Sequence, residues 1–313
     1  MAYQPHPKVI ITCAITGGMT VPAQSEAIPV TVDEIIEAGV QAAEAGAAVL
    51  HIHVREEATG RPVQDPELFG RVLSGLSQRT DAVLQTTTGG GQGMTVEERG
   101  AIVPRFKPEM ATLNAGSMNF GLYPIAARNL PFQDWEREYL ESTRDYVFRN
   151  TFAGITYLAG LMRDAETRPE IEIYDLGQLY NLRQLVNDGV VEPPFSLQFV
   201  LGVLGGSSSE PDHLIYLLRT AERLFGAGSF TWSAAGVGYP AEFELAALAL
   251  MLGGNVRVGL EDNLRVRRTA RAKTNAELVV KAVQLAGLFD KTPASPAEAR
   301  EYLRLKGADR VAF

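Results

Sequence analysis

The feature that most constrains this chain is an alternation: short β-branched and apolar runs recur along it, each followed by a longer amphipathic stretch. A parallel strand followed by a covering helix leaves that trace, because the strand is buried on both faces and the helix shows one face to water. Candidate strands are 9–14, 48–54, 82–87, 110–114, 170–174, 196–201, 230–234 and 256–259. Helical candidates between them are 31–45, 66–77, 96–106, 133–163, 176–187, 211–225, 241–252 and 273–288, with a last one at 296–305. Thr31 and Glu34 form a capping box at the first of these. Eight such units predict an α/β fold, a (β/α)8 TIM barrel, with residues 1–313 as a single domain and the helix near 296–305 as a C-terminal addition.

Composition narrows the function classes. A net charge of -8 and the lack of a long Lys/Arg run argue against a nucleic-acid backbone as partner. No apolar run approaches the roughly 20 residues a bilayer-spanning helix needs, so no membrane association is expected. The opening eight residues have neither the basic start nor the apolar stretch of a secretory signal, which points to the cytoplasm. With Cys13 as the one cysteine, a metal site within one chain must use nitrogen and oxygen ligands. Cys13 itself reads as a small core hydrophobe in an apolar strand.

Functional groups of a closed barrel gather at the carboxyl ends of its strands. In His51-Ile52-His53-Val54-Arg55, alternation puts His51, His53 and Arg55 on one face. Cα atoms two residues apart, about 6.5 Å along a strand, let both imidazoles reach one ion at about 2 Å. Two histidines bonded to backbone or water are the bland alternative. In Arg257-Val258-Gly259-Leu260-Glu261-Asp262-Asn263, Arg257, Gly259 and Glu261 share a face if the strand continues. His51, His53 and Glu261 would then be a His2Glu set, as in catalytic zinc sites. At the same rim, Thr87 with Gly89 and Gly90 offers a hydroxyl and close-approach amides for a carboxylate or phosphate. Thr112 and Asn114 end strand four on one face. Glu170 and Glu172 share a face of strand five; Glu172 is expected to pair with Arg257 or Arg55, while Glu170 reads as a solvated strand start. His213 reads as a surface residue and His6 as part of the N-terminal tail.

These residues resemble the beta-keto acid cleavage enzymes, the family that includes the 3-keto-5-aminohexanoate cleavage enzyme. The likeness runs over roughly residues 8–305. It is carried by Ile15-Thr16-Gly17, by His51-Ile52-His53-Val54-Arg55, by Lys107-Pro108-Glu109-Met110-Ala111-Thr112-Leu113-Asn114-Ala115-Gly116, by Gln198-Phe199-Val200-Leu201-Gly202-Val203 and by the segment from Arg257 through Asn263. The resemblance implies a zinc-dependent barrel, usually a homotetramer, that converts a beta-keto acid and acetyl-CoA into acetoacetate and a new acyl-CoA. It also implies that His51, His53 and Glu261 bind zinc and that Asp262 is the base, assisted by Arg257 with Glu172 nearby. Thr87, standing where the family often has serine, would hold the substrate carboxylate with Thr112. One departure bears on substrate. Where the aminohexanoate-cleaving enzymes carry a glutamate for the substrate ammonium, this chain has Met19, and a thioether cannot balance a cation. A beta-keto acid with an uncharged or apolar distal end is therefore expected.

Two other readings remain open from the sequence. A zinc hydrolase or a metal-dependent acyl-CoA lyase could use the same open metal position. A non-catalytic barrel would need the clustered ligands, acid and arginine to be incidental.

Overall fold

The structure, a computed structural model, describes residues 7–313, so His6 lies outside it. Eight parallel strands close into a barrel: β1 (Ile11–Ala14), β2 (Val49–Ile52), β3 (Val83–Thr86), β4 (Met110–Asn114), β5 (Arg168–Ile173), β6 (Phe195–Leu201), β7 (Phe230–Gly236) and β8 (Asn255–Val258). The ring closes where β8 pairs with β1, with Arg257 opposite Thr12 and Val258 opposite Cys13. That closure sets the end of β8 beside β1, which in turn lies next to β2.

Each strand's outward side chains pack beneath the helices. Ile11, Cys13, Leu50 and Ile52 share one buried cluster with Ile35, Ile36 and Val40 of α1 (Val32–Glu44) and Leu73 and Leu76 of α2 (Pro66–Ser77). The α1 start follows the expected capping box: Thr31 accepts from Glu34 N–H, and Glu34 accepts from the Thr31 amide.

Three sequence expectations change. The first and second strand runs are each broken. Lys8–Val9 leaves the barrel to pair with Thr292–Pro293, and Val54–Arg55 leaves it to pair antiparallel with Pro62–Val63. The 96–106 helix is two pieces, α3 (Val96–Gly100) and α4 (Ile102–Phe106); Pro104 lies in the first turn of the second, where its missing N–H costs nothing. The 133–163 helix is interrupted: α5 (Asp134–Ser142) ends, Val147–Phe148 pairs antiparallel with Met118–Asn119, and α6 (Phe152–Asp164) starts afresh with Thr151 accepting from Gly154 N–H. The β-branched and aromatic character of Val147-Phe148 and the capping Thr151 were the local signals overridden by helical periodicity.

The remaining helices are α7 (Leu176–Asn187), α8 (Pro211–Phe225), α9 (Ala241–Leu252), α10 (Asn275–Gly287) and the additional α11 (Pro296–Leu303). Ala299 and Leu303 of α11 cluster with Ile10, Val49, Val83 and Met110 at the amino ends of the strands, opposite the site. Arg300 clasps the buried Glu109 carboxylate through Nε (2.9 Å) and Nη2 (2.8 Å). Arg300→Ala is expected to lower unfolding stability by about 3 kcal/mol, because it leaves Glu109 buried and unpaired. The paired Glu109→Leu/Arg300→Leu variant should lose less, as read by urea unfolding.

Candidate active site and metal centre

At the carboxyl end of β2 the imidazoles of His51 and His53 come together, ring centroids 5.1 Å apart. Glu261 stands between them: Oε2 lies 3.5 Å from His51 Nε2, and Oε1 lies 3.5 Å from His53 Nε2. One donor atom from each of the three lies within 4.8 Å of the others. Arg55, expected on the same face, departs from it because the ladder ends at Ile52. Its guanidinium turns beneath the loop after β1, donating to Thr16 Oγ1 (2.7 Å) and the Gly17 carbonyl (2.6 Å).

Glu261 does not reach the site by a continued strand. β8 stops at Val258, and Gly259 takes φ +147°, where a Cβ would lie 2.1 Å from the Ala14 carbonyl oxygen. From there a turn closes, with the Asp262 and Asn263 amides donating to the Gly259 carbonyl at 3.0 Å. The turn delivers both Glu261 and Asp262 to Arg257. Arg257 holds Asp262 through two bonds (Nε–Oδ2 2.8 Å, Nη2–Oδ1 3.0 Å), reaches Glu261 at 3.1 Å and Glu172 at 3.4 Å, and donates to Gln198 Oε1 at 3.0 Å. The expected Glu172 pairing is thus made with Arg257.

The electrostatics favour a further cation. Burial, with Arg257 next, holds His51 well below its ordinary value and brings His53 down to about 3, so both rings are neutral donors with lone pairs. Burial, with repulsion from Asp262 and Glu172 and despite Arg257, pushes Glu261 up to about 8. Burial likewise lifts Glu172 to about 7, against the pull of Arg257. Asp262, Glu261 and Glu172 together hold Arg257 well above its ordinary value despite burial. Glu261 Oε2 is buried with no hydrogen-bond partner. An orphaned carboxylate oxygen beside two neutral imidazoles is the arrangement a divalent ion completes, and the donor set suits zinc.

Beside this cluster lies a cavity of about 570 Å³ counted out to its mouth, walled at the near end by His51, His53, Glu172, Glu261 and Thr87. Gly89 and Gly90 line it, as expected. So does Met19, with Phe120, Leu122, Tyr146 and Phe148. Other expected site residues lie behind the walls. Thr112 Oγ1 accepts from the Thr88 amide (3.2 Å), and Asn114 is buried with neither side-chain atom bonded. The Asp262 side chain is 0% exposed and bonded to Arg257. Glu170, read as a solvated strand start, is instead 5% exposed and accepts from Gln85 and Gln198. Sequence reasoning gave these two amides no role; polar side chains in the middle of wholly buried strands were the available signal. Cys13 is buried and its thiol is pushed up by that burial, as suits a core residue. His213 is exposed, as expected, near Glu210.

A convergent polar cluster with an adjoining cavity at the carboxyl mouth of the strands defines a (β/α)8-barrel enzyme. Its family is shown by sequence: the beta-keto acid cleavage enzyme model matches residues 8–305, and the chain belongs to that family. It is 45% identical to the 3,5-dioxohexanoate:acetyl-CoA acetone transferase of Paraburkholderia graminis, covering 98% of each chain. It is 37% identical to the 3-keto-5-aminohexanoate cleavage enzyme of Acetoanaerobium sticklandii, covering 95% of this chain and 98% of that one. Among solved structures, apo ObcA superposes with a TM-score of 0.74 at 19% identity, over 90% of this chain and 66% of that longer one, a likeness of fold.

The site's geometry yields a test that leaves every ligand untouched. A Cβ at Gly17 would stand 2.2 Å from Glu261 Cδ, without any backbone strain at Gly17 itself. Gly17→Ala should fold normally and weaken the affinity of the candidate site for a divalent ion at least ~10-fold by displacing Glu261. Chelator competition reads the affinity, and wild-type affinity would refute the placement of Glu261 as a ligand.

Proposed function

We propose that this protein is a zinc-dependent acyltransferase that takes a beta-keto acid with an uncharged, largely apolar distal end. With acetyl-CoA as co-substrate it forms acetoacetate and a new acyl-CoA. The observation that carries the reading is the His51–His53–Glu261 cluster opening on a cavity that Met19, Phe120, Leu122 and Phe148 also line. The family match and the relatives' acetyl-CoA-dependent names support the reaction class.

His51, His53 and Glu261 would hold the zinc, which when bound supplies a Lewis acid for negative charge developing at the substrate ketone. Thr87 and the chain at Gly89 and Gly90 face the substrate carboxylate. Thr112 supports that loop by binding Thr88. Asp262 takes a proton from the carbon between carboxylate and ketone; Arg257, gripping both its oxygens, keeps it aimed. The Asp262 side chain is fully buried, so it meets the substrate only through a local shift. The carbanion so formed bonds to the acetyl carbon, CoA passes from there to the substrate's own acyl carbon, and the bond between that acyl carbon and the former carbanion carbon breaks. Asp262 returns its proton to the acetoacetate released. Arg257, with Glu172 beside it, offsets charge on the oxygens during both carbon–carbon steps.

The same reading treats residues 1–313 as one domain of a cytoplasmic homo-oligomer, a tetramer by family resemblance. Among the described residues no helix is long and apolar enough to cross a membrane.

A panel of beta-keto acids, each assayed with and without acetyl-CoA, tests the proposal. Acetoacetate should form only with acetyl-CoA and fastest from apolar-ended acids. Turnover indifferent to acetyl-CoA would instead support a hydrolase or lyase. Asp262→Asn should cut kcat by roughly 10²–10⁴-fold while zinc content is retained. Met19→Glu should shift kcat/KM at least ~10-fold toward a substrate bearing a distal ammonium.

A further inference from the structure

A second set of polar residues crosses the barrel floor beneath the candidate cation site, and the direction of each hydrogen bond in it is fixed by chemistry. Arg257 can only donate, so Gln198 must turn its carbonyl Oε1 toward Nη1, at 3.0 Å. The Gln198 amide nitrogen then faces Glu170 Oε2 at 3.0 Å and Ser233 Oγ at 3.1 Å. The same Glu170 oxygen accepts from Gln85 Nε2 at 2.8 Å, which leaves Gln85 Oε1 pointing at His51 Nδ1, also 2.8 Å away. A carbonyl oxygen cannot donate, so Nδ1 must carry the proton. Nε2, the atom facing Glu261, is left with its lone pair. Gln85 and Gln198 are 0% exposed and Glu170 is 5% exposed, so no bulk water competes to reverse an amide.

We propose that Glu170 is a positioning residue for the cation site: by accepting from both glutamines it locks His51 as the Nδ1–H tautomer, with Nε2 ready to bind metal before any ion arrives. This rests on the metal reading above. Without Glu170, Gln85 can rotate, present its NH2 to His51 and favour the opposite tautomer, whose Nε2–H cannot coordinate.

Two measurements test it. Metal-free protein labelled with 15N only at histidine gives a solid-state spectrum in which His51 is assigned by comparison with His51→Asn. His51 should be protonated at Nδ1 in the wild type, and should be mixed or switched in Glu170→Leu. Zinc affinity by chelator competition should fall roughly 10–100-fold in Glu170→Leu. It should largely recover in Glu170→Gln, whose amide oxygen can still accept from both neighbours. A merely structural Glu170 would lower the unfolding midpoint and leave tautomer and zinc affinity unchanged. Nε2–H in the wild type, or wild-type zinc affinity in Glu170→Leu, would overturn the inference. If Glu170→Leu does not fold, Gln85→Leu removes the same acceptor from His51 and carries the same expectations. A wild type that takes up no zinc would sink the metal reading instead, and the tautomer on metal-free protein then decides the inference alone.

Discussion

Everything at the mouth of this barrel is arranged around one buried guanidinium. Arg257 is 2% exposed and touches Asp262, Glu261, Glu172 and Gln198. Removing a charge of that size from water costs several kcal/mol, offset only where partners surround it with good geometry. The partners here exceed the need, since three carboxyl groups meet one cation. Burial first, and repulsion among these acids after it, push Glu261 and Glu172 upward despite Arg257. A second cation is what removes the excess, and the two imidazoles beside Glu261 mark where that cation would sit. The arginine and the candidate cation site are thus two halves of one charge balance.

The fold serves this balance through closure. β8 meets β1, and β1 meets β2, so a turn after β8 can lean across to the histidines of β2. That turn is itself held from outside the barrel. Glu242 of α9 accepts from the Gly259 amide and the Asn263 side chain, and Asn275 of α10 accepts from the Leu260 amide while donating to the Ile15 carbonyl. Helix and barrel therefore share the work of fixing Glu261 and Asp262.

Much of this was legible in the sequence, and its limits have physical causes. The eight strands are short local apolar runs and the His-x-His pair a local pattern of period two, and they appear where expected to within two or three residues at each end. Glu261 stands out in the sequence by its position after a strand, and it lies beside both histidines, although a turn and not an extended strand brings it there; Gly259 is the clue that the ladder must end. The cavity walls are legible only in part: Met19 and the connection 116–132, which carries Phe120 and Leu122, are candidates in the sequence, whereas Tyr146, Phe148 and the way the walls come together are not. Phe120, Leu122, Tyr146 and Phe148 converge because the chain between β4 and β5 folds back as a small antiparallel pair, a contact between segments nearly thirty residues apart in sequence that periodicity does not encode. Nor was the polar floor of Gln85, Glu170 and Gln198, since one glutamine in an apolar strand reads as noise until its partners from neighbouring strands are known.

The central claim is that a single divalent ion sits where the β2 histidines meet the carboxylate carried past β8. Anomalous X-ray diffraction across the zinc edge, on crystals grown with the metal, addresses it directly. One strong peak within about 2.0–2.2 Å of His51 Nε2, His53 Nε2 and a Glu261 oxygen is the expected result. A zinc peak elsewhere in the molecule, or fully loaded crystals with these three side chains turned apart, would contradict it.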